Sequence, residues 1–408
     1  MNLNTRLRLS VMMFVQYFIW GAWYATLSSY LTKINFTGND IGRAYSTTAL
    51  AAIVSPFFVG MIADRFFSAE KVLAVLHLVG AGLLFYVSTI KDPMTFYYVL
   101  LAYTLCYMPT LALTNSLSFD HMKDPSKDFP SIRVMGTISW IVVGWILAKF
   151  EISDKADSLQ LGAGASLLMG LYCFTLPHTP PKSAGKAVKV RDILGLDALG
   201  LMKDPSFLFF VIGSLLICIP LTFYFSFTGT FLSEHNMSDW AGKMTLGQML
   251  EIFFLMILPF CLARLGVKKM LLIGMLAWGV RYVLFAFGDP GSKFPVMVLA
   301  GIIMHGICYD FFFVTGQLYV DRKAPLAIRA NAQGLIYFIT LGLGMYIGSR
   351  LSGVVVDHFT TLNDAKEVVA RNWKMIWLTP AAMAGVVLVL FALFFHENGK
   401  EKIEGAED

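Results

Sequence analysis

The chemically most informative stretch of the sequence is His305-Gly-Ile-Cys-Tyr309-Asp310, in the middle of an apolar run from about 294 to 320. A run of roughly 25 residues is long enough to cross a bilayer as a helix. An ionised carboxylate at its centre costs several kcal/mol unless it is protonated, paired or in contact with water. His305 and Tyr309 share a helix face, and Asp310 lies one residue further round. The group therefore indicates either a polar pathway or a carboxylate that only hydrogen-bonds a neighbouring helix.

A second acid inside the membrane is predicted at Glu251, three residues after Gln248 in the apolar run 240–262. The spacing of three places both side chains on one helix face. Like Asp310, Glu251 has no basic partner on its own helix, and two such acids are costly without a use. We interpret Gln248 and Glu251 as groups that exchange hydrogen bonds with the hydroxyls of a ligand. A purely structural acid is the alternative.

Arg133, Thr137 and Trp140 follow the spacing i, i+4, i+7 in the run 131–149, which gives a stripe from a cation to an aromatic ring. Trp140, like Tyr309, offers a flat face on which a ring can stack. Arg133 lies near one end of its run, so snorkelling or a role in a gate is the alternative to lining a site. For Trp140 the alternative is plain packing.

Thr222 and Phe225 belong to a polar and aromatic group around Pro220 in the run 207–232. Proline removes a backbone hydrogen bond and favours a kink inside a membrane helix. Pro220, Thr222, Tyr224, Phe225 and Thr228 surround the predicted kink and are a further candidate group for lining a ligand site. Packing against neighbouring helices is the alternative.

The composition places all these residues in a membrane protein. Of 408 residues, 57% are hydrophobic and only 14% are charged, whereas a soluble chain carries roughly a quarter charged residues. The apolar runs recur along the whole chain, and the first is interpreted as a retained helix and not as a signal peptide. We predict twelve spans, at about 8–32, 41–62, 71–90, 94–117, 131–149, 158–176, 207–232, 240–262, 268–287, 294–320, 328–356 and 374–395.

The basic residues give the orientation of the spans. With both termini inside, the cytoplasmic segments hold about 19 of the 32 lysines and arginines and the outer segments about 10, as the positive-inside rule expects. The connection 177–206 is rich in Pro, Gly and Lys and separates six spans from six. We therefore predict an all-α polytopic fold of two six-helix bundles, 1–176 and 207–396, with a cytoplasmic linker, 177–206, and a cytoplasmic tail, 397–408.

Short echoes between the halves support duplication of a six-helix unit. Ile132-Arg133 and Ile328-Arg329 each open a run at an offset near 200, and the segment 60–71 has a counterpart at 263–269. Duplicated bundles are typical of transporters that hold their ligand between the two halves. Arg281 and Arg350 lie toward the outer ends of their runs and are interpreted as snorkelling or as inter-helix pairs, and His77 as peripheral.

The segment Gly60-x-x-x-Asp64-Arg65 resembles the loop signature of the major facilitator superfamily. The resemblance implies that Asp64 and Arg65 contribute to a gate that pairs charges when the cytoplasmic side closes. A solvated pair of loop charges is the alternative.

The side chains favour a small, neutral, polyhydroxylated ligand with a flat apolar part. Such a ligand gains nothing from the membrane potential, so its accumulation needs a coupled ion. A buried carboxylate can load and release a proton, and we assign this role to Asp310 together with Glu251. The five cysteines lie singly in apolar runs with no CxxC pair, so neither a disulfide nor a metal site is expected. No cofactor beyond the coupling proton is expected.

Several motifs together resemble the nucleoside:H+ symporter family of the major facilitator superfamily over the length of the chain. They are Phe129-Pro-Ser-Ile-Arg133-Val-Met-Gly-Thr137, Tyr107-Met-Pro-Thr110, Leu194-Gly-Leu-Asp-Ala198, Gln248-x-x-Glu251, Tyr309-Asp-Phe-Phe312 and Ile328-Arg-Ala-Asn-Ala-Gln-Gly334. The resemblance implies a multi-pass transporter of the bacterial inner membrane with a central nucleoside site. It carries the family's site positions over to Arg133, Thr137, Trp140, Gln248, Glu251, His305, Tyr309 and Asp310.

This chain departs from the well-known members at two of these positions and at two further positions in the run 207–232. Thr222 and Phe225 stand where those members carry amide side chains, His305 where they carry Tyr, and Trp140 where they carry Phe. The chain therefore resembles a less characterised branch of the family. The departures leave the choice between purine and pyrimidine nucleosides open.

A proton-coupled sugar symporter of the same fold is the alternative, because it would use the acids and Trp140 equally well. A membrane receptor would need a further signalling domain, and a hydrolase would need a paired nucleophile and base, so we predict that the protein is not an enzyme. The lipid bilayer and a small nucleoside are the expected partners, nucleic acid is not, and fold analogy favours a monomer.

Overall fold

A computed structural model of the chain describes residues 2–58, 66–181, 196–364 and 368–396. Asp64 and Arg65, residues 182–195 of the linker and the tail 397–408 lie outside these residues. The α-helices are α1 (Leu3–Trp23), α2 (Leu27–Lys33), α3 (Gly38–Phe58), α4 (Ala69–Val87), α5 (Pro93–Asp120), α6 (Pro125–Lys149), α7 (Asp157–Cys173), α8 (Pro205–Glu234), α9 (Trp240–Phe287), α10 (Val296–Ile303), α11 (His305–Tyr309), α12 (Thr315–Lys323), α13 (Arg329–Tyr337), α14 (Met345–His358) and α15 (Trp373–Phe394).

Shorter elements connect or interrupt these helices. They are the 3-10 helices Leu196–Lys203 and Leu326–Ile328, the π-helices Asp310–Val314 and Phe338–Gly344, and the antiparallel strands β1 (Thr360–Leu362) and β2 (Val368–Arg371). Across the described ranges, eight helical stretches are long and apolar enough to cross a membrane. One of the eight, α9, turns at Gly266 and covers two predicted spans. The predicted spans 8–32, 41–62 and 158–176 contain α1, α3 and α7, of 21, 21 and 17 residues, which are not among the eight.

Helix starts follow side chains that accept hydrogen bonds from free backbone amides. Asp92 precedes Pro93 and accepts from the backbone amide of Thr95 at 2.8 Å, which begins α5. The same bonds from Thr95 hold the pKa of the Asp92 carboxyl below its usual value. Asp204 accepts from the amide of Ser206 at 2.8 Å at the start of α8, and Asn372 begins α15 in the same way.

The long helix α9 changes direction at Gly266, whose φ of 73° and ψ of 170° lie outside helical geometry. A positive φ is readily adopted by glycine, which has no Cβ to clash. The turn falls between the predicted spans 240–262 and 268–287. A single glycine therefore replaces the longer loop that the sequence suggested at this point.

Three predicted spans are interrupted, and the sequence pattern indicated none of these interruptions. The span 8–32 consists of α1, a turn at Tyr24–Thr26 and α2. The span 294–320 consists of α10, a break at Met304, α11, a π-helix and α12, and the span 328–356 contains the second π-helix. Hydropathy cannot distinguish these forms, because a π-helix carries the same apolar residues as an α-helix. Single-turn π segments are frequent at functional sites.

The chain divides into two compact units, and the first comprises Met1–Ile193, Phe225–Ser233 and Ser238–Thr245. Inside it, α1 packs on α6 and α7, while α4 packs on α5 and α7. A buried polar network crosses this core: His77 meets Gln16 at 2.9 Å, Gln16 donates to Thr110 at 2.7 Å, and His77 lies 3.3 Å from Ser166. The interpretation of His77 as peripheral is therefore wrong, since its ring is 1% exposed.

The second unit comprises Leu194–Tyr224, Glu234–Met237 and Leu246–Asp408. Glu234 accepts from the indole of Trp373 at 2.8 Å and pairs with Arg371, which fixes the strand hairpin to the end of α8. Arg281 is fully buried and donates to the carbonyl of Gly301 at 2.8 Å. The snorkelling interpretation of Arg281 is wrong, and the inter-helix interpretation is correct.

Candidate functional site

The residues that the sequence singled out fall into two groups, one within each compact unit. The group in the second unit comes from α9 and from the interrupted helix α10–α12, and it contains Gln248, Glu251, His305, Tyr309 and Asp310. The group in the first unit comes from α6, and it contains Arg133, Thr137 and Trp140. Each group is described by itself.

In the second unit, two glycines allow α9 and the interrupted helix to approach until their backbones touch. A Cβ on Gly306 would lie 2.8 Å from the Cα of Glu251, and a Cβ on Gly247 would lie 3.0 Å from the carbonyl of Ile302. Small residues at a membrane helix crossing permit this distance. The crossing places the Glu251 carboxylate 3.7 Å from Nε2 of His305.

Gly306→Ala is expected to lower the free energy of unfolding by about 1–3 kcal/mol, as other insertions into packed interiors do. The added methyl meets the backbone of Glu251, which cannot rotate away as a side chain does. Thermal unfolding of the purified protein in detergent measures the loss. The matched control is Gly385→Ala on α15, where a Cβ meets nothing within 4 Å in the described residues. Equal midpoints for the two variants would contradict the tight crossing.

His305 is the centre of an aromatic stack in the second unit. Its ring is 4% exposed and lies 5.4 Å from Tyr224 and 5.9 Å from Tyr309, with interplanar angles of 23° and 24°. Tyr309 is half-buried and also contacts Phe313 at 5.0 Å. Within the stack of Tyr224, His305 and Tyr309, the Tyr309 ring is the one that is partly exposed. It is therefore suited to contact a flat ligand.

Asp310 is 2% exposed and is the first residue of the π-helix that follows α11. Among the described residues, its Oδ2 atom has no hydrogen-bond partner. Ionisation of such a carboxyl inside a membrane helix is costly, and protonation removes the cost. Asp310 therefore has the surroundings of a group that exchanges a proton when water reaches it.

A small cavity of about 20 Å³ lies beside Tyr309 within the second unit. It is bounded by both π-helices, through Phe312 and Phe313 on one side and Thr340 and Leu341 on the other. Gln317 contributes a polar wall and donates to the hydroxyl of Tyr337 at 2.9 Å. The space is large enough for water but not for a ligand of the predicted size.

In the first unit, Arg133 lies with its Cζ 4.1 Å from the ring centre of Tyr17 on α1. Gly136 allows this stacking, because a Cβ there would lie 2.7 Å from both the guanidinium and the Tyr17 ring. Such a cation–π contact orients the guanidinium and stabilises its charge. Tyr17 was missed by the sequence analysis, since no pattern within α6 points to a partner on α1.

Trp140 is half-buried and lies at the edge of an aromatic cluster in the first unit. Its ring is 6.0 Å from that of Trp20, which in turn lies 5.4 Å from Tyr24 and 6.2 Å from Tyr107. Phe225 joins the same cluster 5.9 Å from Tyr24. Trp20 and Tyr107 therefore belong to the surroundings of Trp140, which the spacing within α6 did not indicate.

Thr222 has a different environment from Phe225. It is fully buried, donates to the carbonyl of Ile219 at 2.7 Å and packs against Gly348 of α14. Thr137, Gln248 and Glu251 are half-buried, so they retain surface for a ligand. A ligand contact by Thr222 stays a prediction, and in this conformation its hydroxyl serves its own helix.

The mainly helical fold, the interrupted membrane helices, the buried Asp310 and the half-buried Glu251 are typical of a secondary transporter of the major facilitator type. The model of one protein family, the nucleoside H+ symporters, matches residues 3–400. The chain belongs to this family of proton-coupled nucleoside transporters, as the sequence motifs predicted. The fold of two six-helix bundles is confirmed by solved structures of the same family.

Sequence similarity to two relatives extends over nearly the whole length of the chain. YegT, a presumed nucleoside transporter of Escherichia coli (strain K12), is 45% identical over 407 residues, which cover 98% of this chain and 96% of YegT. The xanthosine permease of the same strain is 35% identical over 418 residues, which cover 98% and 99% of the two chains. The crystal structure of the nucleoside transporter NupG superimposes with a TM-score of 0.87 at 33% identity and covers 97% of this chain and 100% of NupG.

Proposed function

We propose that this protein takes up nucleosides together with protons by alternating access. The observation that carries this proposal is the glycine-mediated crossing in the second unit, where Glu251, His305, Tyr309 and Asp310 meet on two helices. A ligand site and a proton-exchanging acid on adjacent residues can respond to one another. Symport requires a coupling free energy between ligand and proton binding, and adjacent groups supply a direct route for it.

The two chemical parts of a nucleoside suit two kinds of side chain. The half-buried rings of Trp140 and Tyr309 offer faces for the base, and Gln248 and Glu251 offer hydrogen bonds to the ribose hydroxyls. Arg133, Thr137 and His305 complete the polar lining. The aromatic cluster behind Trp140 supports its assignment, because Trp20 packs against the Trp140 ring and is itself in contact with Tyr107.

Proton coupling is assigned to Asp310 together with Glu251. The two acids lie on the two helices that cross at Gly306, so loading of one changes the electrostatic environment of the other. Asp64 and Arg65 are proposed to act in gating and not in ligand choice. We propose further that the protein is a monomer in the bacterial inner membrane with cytoplasmic termini, that it binds no nucleic acid and that it catalyses no chemical reaction.

Competition of uptake separates this proposal from a sugar symporter of the same fold. Excess unlabelled nucleoside is expected to inhibit uptake of labelled uridine fully, whereas free uracil and free ribose each inhibit at least about tenfold more weakly, because each fills half of the site. Glucose and sucrose serve as controls. Strong inhibition by a free sugar with none by uracil would overturn the nucleoside assignment in favour of the sugar alternative.

A further inference from the structure

Arg281 stands out among the buried charges because no role in the site described above has been assigned to it. It lies on α9 after Gly266, in a membrane-spanning stretch, and its side chain is 0% exposed. Its Cζ lies 4.1 Å from the ring centre of Tyr224 and 4.8 Å from that of Trp278. A fully buried guanidinium stays charged and is retained only where its surroundings stabilise it.

The guanidinium contacts the backbone at the interruption of the predicted tenth span. Nε of Arg281 donates to the carbonyl of Gly301 at 2.8 Å, and α10 ends two residues later at Ile303. Carbonyls in the last turn of a helix lack partners within the helix, and a cation at that end is favoured by the helix dipole. Arg281 therefore satisfies a backbone group that the break before His305 leaves free.

Gly301 is the residue that permits this contact. A Cβ at that position would lie 2.5 Å from Cε1 of Phe285 and 3.4 Å from the carbonyl oxygen of Arg281 itself. The helix α10 thus lies directly against α9 at the level of the guanidinium. Any larger side chain at this position would push the two helices apart and break the hydrogen bond from Arg281 to the Gly301 carbonyl.

Arg281 also touches the aromatic stack of the site. Tyr224, which receives the guanidinium on its ring, stacks on His305 at 5.4 Å. The guanidinium interacts electrostatically with Tyr224 on α8, Tyr282 on α9, and His305 and Cys308 on α11. The Glu251 carboxylate lies 3.7 Å from His305 in the same group. The Tyr224 and Trp278 ring faces and the Gly301 carbonyl contribute to stabilising the cation.

We propose that Arg281 is a positioning residue for the nucleoside site, which holds the interrupted helix at Gly301 and the Tyr224 ring so that His305, Tyr309 and Asp310 keep their places. The part of this inference that concerns the ligand rests on the proposed function. The part that concerns the interrupted helix does not. Two measurements test the two parts separately.

The first measurement is the rate at which N-ethylmaleimide labels Cys308, which lies on α11 and is 0% exposed. It uses the full-length protein with Cys308 as the sole cysteine, beside a matched protein with only Cys218, equally buried on α8. Arg281→Gln is expected to accelerate labelling of Cys308 at least about tenfold by local opening and to leave Cys218 unchanged. Arg281→Lys, which retains the charge, is expected to give an intermediate rate.

The control for lost charge is Arg350→Gln, in which a half-buried arginine of α14 is removed from the same unit. It is expected to label Cys308 at the parent rate. An unchanged Cys308 rate in Arg281→Gln would overturn the proposal. An equal acceleration at Cys218 would also overturn it, because the unit as a whole would then have loosened.

The second measurement is equilibrium dialysis with labelled uridine, in which Arg281→Gln is expected to bind at least about tenfold more weakly than the parent and Arg350→Gln as tightly. Unchanged affinity in Arg281→Gln, with Cys308 exposed, would overturn the link between the interrupted helix and the ligand. Absence of uridine and adenosine binding by the parent protein would count against the proposed function, and Cys308 labelling would still decide the role of Arg281 in the helix.

Discussion

Asp310→Asn is expected to abolish accumulation of nucleoside against a gradient while exchange of nucleoside across the membrane continues. The substitution keeps the size of the side chain and removes its ability to load and release a proton. Asp310 is 2% exposed, so the substitution changes a carboxyl that lies inside the protein and not at its surface. Proteoliposomes measure both activities, with counterflow for exchange and an inward proton gradient for accumulation.

The matched control is Asp289→Asn, which changes an exposed aspartate between α9 and α10 in the same unit. It is expected to accumulate nucleoside like the parent protein. If Asp310→Asn accumulates nucleoside to the parent level, Asp310 is not the coupling acid. Loss of both accumulation and exchange would instead assign Asp310 to ligand binding or to the conformational change.

Glu251→Gln is expected to weaken nucleoside binding by roughly tenfold to a hundredfold, as loss of a hydrogen bond to a charged group does, and to slow transport as well. Glu251 is half-buried and lies 3.7 Å from His305, so its carboxylate can reach a ligand and orient the imidazole. Equilibrium dialysis with labelled uridine and adenosine measures the affinity. Glu151→Gln, at an exposed position in the first unit, is the control.

The two acid variants differ in their expected patterns, and this difference tests the assignment of roles. Asp310→Asn is expected to separate binding from accumulation, whereas Glu251→Gln is expected to affect both. Unchanged affinity in Glu251→Gln would remove Glu251 from contact with the ligand. Identical behaviour of the two variants would mean that the acids act as one coupled pair.

The sequence was sufficient to predict the number of spans and the burial of Asp310. Both follow from hydropathy alone, because a long apolar run crosses the membrane and a carboxyl in its middle is buried with the run. Spacing along α6 also grouped Arg133 with Trp140, and both contact rings of α1, Tyr17 and Trp20. The place of Thr137 on the same stripe stays a prediction. Each of these features depends on residues of a single helix, so it can be predicted from the order of residues along that helix.

Features that depend on two helices were not predicted. The break at Met304 coincides with contacts from other elements, namely Arg281 on Gly301 and Glu251 on Gly306. The burial of Arg281 and His77 was missed for the same reason. Whether an arginine snorkels or faces its neighbours is set by the rotation of the helix about its axis, and hydropathy does not record it.

The four departures from the well-known family members concern the choice of nucleoside. Trp140 and His305 lie within aromatic groups, and Phe225 contacts Tyr24. Thr222 is fully buried against Gly348. Of Thr222 and Phe225, Phe225 is therefore the more direct candidate for a change in base preference, since its ring is partly exposed.

The most direct test of the central claim is uptake of labelled uridine and adenosine into proteoliposomes, with and without an inward proton gradient. Accumulation of either nucleoside above the equilibrium level, only when the gradient is present, is the predicted result. Uptake that merely equilibrates and ignores the gradient would contradict proton coupling. Absence of uptake of both nucleosides by correctly inserted protein would contradict the nucleoside assignment and direct attention to Thr222 and Phe225.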